Sequence, residues 1–118
     1  MPIFERGDVV RVPFPYTDRP VRQHRPALVL ATPGAADADR GDAVELVWVL
    51  MITSATNRWW PDDVEVESGR ANTGLPVPSI VRTRKIATID AAHAERIGNV
   101  SSATLRLVTE RVQAWLAG

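Results

Sequence analysis

The sequence predicts a mainly β chain with a C-terminal helix: a small antiparallel barrel with the helix packed on it. Three observations carry this. Short runs rich in β-branched residues recur between Asp8 and Val100. Segments rich in Gly, Pro, Asn and Asp separate them. Only the last segment switches to a helical period. At 118 residues the chain is long enough for a core without staples, so residues 1–118 read as a single domain.

Asp8–Phe14 reads as the first strand, with Val9, Val10 and Val12 around Arg11; Pro13 and Pro15 end it or place it at an edge. Pro15–His24 is polar and reads as a loop. Ala27–Thr32 and Ala43–Thr53 are continuous apolar runs, hence buried strands, joined by the acidic turn-rich stretch Pro33–Asp42. Ser54–Asp63 is a loop carrying Trp59-Trp60-Pro61, and Val64–Glu67 is a short alternating strand. After the Gly/Pro/Asn loop Ser68–Pro78 come Ser79–Thr83 and Lys85–Ile89, two strands or one with a kink. Asp90–Arg96 suggests a helical turn and Gly98–Val100 a last short strand. Ser101 or Ser102 can N-cap a helix whose Leu105, Val108, Val112, Trp115 and Leu116 share one face.

Composition excludes several functions. Without cysteine there can be no disulfide, thiolate zinc site or thiol nucleophile. The start carries no signal-like apolar stretch, and Val44–Thr53, interrupted by Glu45, is too short to span a bilayer, so a cytoplasmic protein is expected. The 14 Lys and Arg balance 14 Asp and Glu, which argues against indiscriminate nucleic-acid binding. The clustering says more: acids gather in Asp37–Glu45 and Asp62–Glu67, bases in Arg19–Arg25 and Arg82–Lys85. Gly7-Asp8 and Arg25-Pro26 open strands, and Arg82, Arg84 and Lys85 punctuate another. Cations at strand ends are one way to build an anion site on a small barrel.

His24 and His93 show none of the spacings of a metal motif, and the adjacent Asp62 and Asp63 would point to opposite faces of a strand, so no metal is expected. Nor is there a glycine-rich phosphate loop or a nucleophile elbow, and no cofactor is expected. Cleavage of RNA by its own 2′-hydroxyl remains open, since it needs only proton transfer and cationic stabilisation of the phosphorane. Arg25, Thr53 and Arg82 could supply such contacts.

The segments RGDVVRVPFPYTD, RPALVLA, VLMITSATN and LPVPSIVRTRKIATID, in that order, resemble the MazF/PemK family of toxin endoribonucleases from type II toxin–antitoxin pairs. The likeness covers nearly the whole chain. It implies an SH3-like barrel of the CcdB/PemK type, a homodimer, a cognate antitoxin, and metal-independent cleavage of single-stranded RNA at short sequences. The implied products are a 2′,3′-cyclic phosphate and a 5′-hydroxyl. By motif, the catalytic arginine before proline matches Arg25, the ITS threonine matches Thr53 with Ser54 beside it, and the VRT arginine matches Arg82. Members that use this last arginine carry an aspartate two positions on, where this chain has Arg84, so the resemblance favours a mechanism centred on Arg25 and Thr53. His24 adjoins Arg25, and some relatives use a histidine of this loop as acid or base.

Each candidate also has a purely structural reading: a loop-closing ion pair for Arg25, a β-branched strand end for Thr53, a surface ion pair for Arg82, and a solvated loop residue for His24. Arg19, Arg22, Arg84 and Lys85 are expected to line a positive groove with Arg25 and Arg82, and Trp59 and Trp60 either stack on bases or pack their loop. Two rivals share the fold: a CcdB-like gyrase poison, which need not have Arg25 and Thr53, and a catalytically silent relative that binds RNA or antitoxin.

Overall fold

A computed structural model describes residues 4–15, 22–36, 44–66 and 72–118. The strands are β1 (Asp8–Pro15), β2 (Arg22–Ala36), β3 (Val44–Ser54), β4 (Val64–Val66), β5 (Ser79–Asp90) and β6 (Glu95–Asn99), followed by helix α1 (Ser102–Ala117). They form one antiparallel sheet in the order β4-β5-β3-β2-β1-β6. Register shifts at Val9/Val10, at Val29/Ala31 and Ala31/Gly34, and at Leu50/Ile52 are of the kind that bends strands, and the sheet curls into a half-barrel.

The apolar runs of β2 and β3 are continuous because both faces of the sheet are covered. Alternate residues feed two core clusters. Val10, Val12, Ala27, Val29, Val47, Val49, Met51 and Ile89 pack on one face. Val9, Leu28, Leu50, Ile52 and Val81 pack on the other, where Val108 and Val112 of α1 cover them. The helix begins at Ser101, whose hydroxyl accepts from the Thr104 amide at 3.2 Å, and it is tied to β5 by the Trp115 indole donating to the Thr83 carbonyl at 3.2 Å. Leu116, expected on the buried face, is 67% exposed.

Several boundaries move for physical reasons. β2 starts at Arg22, five residues before its apolar run, because β1 pairs it through Val12↔Arg25, Pro13↔His24 and Pro15↔Arg22. His24 and Arg25 therefore lie on a strand and not in a loop. Within β1, Pro13 and Pro15 sit beyond the stretch Asp8–Arg11 that β6 pairs, so their missing N–H groups leave no gap in that ladder. β5 is one strand, with its irregularity in the pairing with β3. The expected helical turn is a short 3-10 turn at Ala91–His93, and the last strand comes earlier than expected, at Glu95–Asn99.

Candidate active site

Antiparallel pairing brings the start of β2 and the end of β3 to the same edge of the sheet. Ala27 pairs with Met51, and Arg25 and Thr53 each lie two residues beyond that pair on their strands. Both line a cleft of about 330 Å³ together with His24, Ser54, Arg11 and Asn57. Its apolar floor comes from Pro26, Ile52, Leu75 and Ile97. The structure thus brings Arg25, Thr53, His24 and Ser54 together, and their alternation along the strands does not separate them because the cleft lies across the strand ends.

Thr53 is buried, and its Oγ1 accepts a hydrogen bond from Asn57 Nδ2 at 2.6 Å. Asn57 is delivered by a tight turn: its amide donates to the Ser54 carbonyl at 3.1 Å, and Ser54 Oγ lies 2.9 Å from Thr56 Oγ1. The opposite wall is a close meeting of two backbones. Gly74 has φ +71°, and a Cβ there would collide with the Ile97 carbonyl. A Cβ at Gly98 would collide with the Asn72 carbonyl and with Thr73. Glycine is what lets the loop before β5 lie against β6 and set Leu75 into the cleft.

The expected six-cation rim is not what the described residues form. Arg82 is buried, away from the cleft lining, with its NH1 2.8 Å from Asp63 Oδ2, its NH2 donating to the Arg58 carbonyl at 2.9 Å, and its guanidinium 4.2 Å from the centre of the Trp60 ring. Arg84 pairs with Asp62 at 2.7 Å and faces the end of α1. Asp62 and Asp63 thus each take one of two alternate arginines of β5. Lys85 is exposed and does not line the cleft. Trp59 and Trp60 are partly exposed on the loop behind Asn57, and the Trp59 indole donates to the Ala55 carbonyl at 3.0 Å. Arg19 lies outside the described residues, as does the side chain of Arg22.

Sequence reasoning missed three polar residues of the cleft, Asn57, Arg11 and Ser79. Asn57 fell within the expected loop Ser54–Asp63 and was not singled out, although its position four after Thr53 was a usable signal. Arg11 was given no role beyond its place among the valines of the first strand. The valines flanking it, Val10 and Val12, are buried, and Arg11 itself points the other way into the cleft and into a neighbouring depression with His24, His93 and Glu95. Among the described residues, no group of three or more His, Cys, Asp or Glu is arranged to hold a metal, and no helix is long and apolar enough to cross a membrane.

A model of the PemK-like, MazF-like toxins of type II toxin–antitoxin systems matches residues 5–116, and the chain belongs to that family. Solved structures agree at the level of fold. MazF from Deinococcus radiodurans (Form-I) is 21% identical with a TM-score of 0.71, all of both chains being covered. The MazE-MazF complex of that organism (Form-II) gives 21% and 0.68 over 98% of this chain and 97% of that one. An endoribonuclease in complex with its cognate antitoxin from a mycobacterial species gives 21% and 0.65 over 95% and 93%. No curated protein matches the chain significantly.

Proposed function

We propose that this toxin is an endoribonuclease that cleaves single-stranded RNA at short sequences without a metal, and that its cleft is the reaction site. One observation carries the reading: Arg25 and Thr53, drawn from different strands, line a single cleft with His24. The 2′-oxygen of the substrate forms a bond to phosphorus as the bond from phosphorus to the 5′-oxygen breaks, leaving a 2′,3′-cyclic phosphate and a 5′-hydroxyl. The guanidinium of Arg25 offers a fork of donors to the anionic phosphorane, and Thr53 adds a neutral donor. The 2′ proton must leave and the 5′-oxygen must gain one. His24 is the one imidazole among the residues lining the cleft and is suited to that exchange. In-line attack needs a flexible backbone, which favours single strands over duplexes. Solved relatives of this fold include complexes with an antitoxin, and an antitoxin segment covering the cleft would silence this chain.

The test is to incubate the purified protein with a long RNA in excess EDTA and map the new 5′ ends. Cleavage at a recurring short sequence, leaving 5′-hydroxyls, is expected. Arg25→Ala should lower the rate by about 10²–10³, the scale of losing a donor to a developing oxyanion, and lysine should restore little of it. Intact RNA, or an alanine variant as fast as wild type, would overturn the reading.

A further inference from the structure

Arg82 and Asp63 are both buried and form the most enclosed ion pair of the described residues, yet they do not line the cleft. The pair is also imperfect, since Asp63 Oδ1 is buried with no hydrogen-bond partner among the described residues. A buried pair with an orphaned oxygen is a costly way to stabilise a fold. What it does fix is the loop between β3 and β4. Arg82 holds the Arg58 carbonyl and packs on Trp60, Asp63 Oδ2 accepts from the Trp60 amide at 2.7 Å, and the Ala55 amide is held by the Pro78 carbonyl at 2.8 Å. Between those anchors sits Asn57, whose side-chain amide reaches Thr53 Oγ1.

A threonine hydroxyl has one proton to give and two lone pairs to receive with. Asn57 Nδ2 takes one of the lone pairs at 2.6 Å. The hydroxyl proton is left to point elsewhere, and the oxygen that already accepts a hydrogen bond is a stronger donor through its own proton. Thr53 lines the cleft, so a proton turned toward the cleft would meet a bound substrate.

Resting on the endoribonuclease reading above, we propose that Asn57 is a positioning residue. It sets the Thr53 hydroxyl as a hydrogen-bond donor to the substrate phosphate, and the Arg82–Asp63 pair serves the site by holding the turn that carries Asn57. Arg82 then acts on the reaction through a loop and not by contact with RNA.

Asn57→Asp is the sharpest variant. The carboxylate keeps the shape but can only accept, so it turns the Thr53 proton onto itself and away from the substrate. In single-turnover cleavage, Asn57→Asp should fall to the level of Thr53→Val, about 10²-fold below wild type. Rates are compared at saturating protein, because the new carboxylate also repels the substrate phosphate and weakens binding, whereas the loss that persists at saturation lies in the reaction. Placed in the Thr53→Val background, Asn57→Asp should cost nothing further, since the hydroxyl it misdirects is already gone. A merely structural Asn57 would instead lower both backgrounds by the same factor. That result, or full activity of Asn57→Asp in an otherwise active enzyme, would overturn this inference alone. A wild-type protein that cleaves no RNA would overturn the endoribonuclease reading and this inference with it. Where Asn57→Asp does not fold, Asn57→Ala removes the amide that holds Thr53 Oγ1 and runs through the same cycle: a loss that disappears in the Thr53→Val background supports the inference, and full activity or an equal loss in both backgrounds overturns it.

Discussion

Removing one side of a buried ion pair strands the other, and this asymmetry sets what variants of the two β5 arginines should do. The side chains of Arg82 and Asp63 are 8% and 1% exposed, and Arg82→Met would leave the Asp63 carboxylate buried without its cation. The expected loss is about 3–5 kcal/mol, read as a lower midpoint in urea. Arg84 is half exposed in its contact with Asp62, and Arg84→Ala should cost less than about 1 kcal/mol. Equal effects from the two variants would show that burial does not separate them. Arg25 and Thr53 were legible only through the family motif, since an arginine or threonine at a strand end reads equally as a structural residue, and the structure places both on one cleft. Arg82 was not. Its partner lies 19 residues away, beyond β4, and the motif around Arg82 is the same whether its guanidinium meets RNA or Asp63.

At the scale of elements, hydrophobic pattern located every strand but misjudged where polar residues continue one. β2 runs through His24 and Arg25 only because β1 lies alongside, and no periodicity in Arg22–Pro26 announces it. β6 was displaced for a related reason: Glu95, Arg96 and Ile97 carry a weak alternating pattern, and pairing with β1 decides the matter. The helix was clearer because its cap and its apolar stripe agree, and it ends up tied to β5 by Trp115. The cleft wall could not be anticipated at all, since it depends on Gly74 and Gly98 meeting across a long stretch of chain. A methyl group at Gly98 has backbone in its way on the neighbouring loop, so the loop and β6 must part. Gly98→Ala should therefore cost about 1–3 kcal/mol, as overpacking does. It should also slow cleavage by moving Leu75 and Ile97, which floor the cleft. Thermal denaturation beside a cleavage assay checks both, and a variant as stable and active as wild type would mean that the wall yields freely.

For the molecule as a whole the formal charge is zero, so any attraction for RNA depends on which cations face it. The sequence suggested a rim of six: Arg19, Arg22, Arg25, Arg82, Arg84 and Lys85. Pairing with Asp63 and Asp62 withdraws Arg82 and Arg84, Lys85 does not line the cleft, and Arg11 joins Arg25 there. This redistribution has a measurable consequence. Binding to a single strand weakens with salt by a log–log slope of about −0.7 for each phosphate neutralised, so six contacts would give about −4. Arg11 and Arg25 alone would give about −1.4, and Arg19 with Arg22 would take it to about −2.8. We therefore expect a slope between those last two values for an RNA blocked by a 2′-O-methyl group at the cleaved nucleotide, titrated across a series of salt concentrations. Arg11→Ala should flatten the slope by about 0.7, and Arg84→Ala should leave it unchanged. A slope near −4 that Arg84→Ala reduces would place RNA on the β5 arginines, and the ion pairs with Asp62 and Asp63 would then have to open when RNA binds.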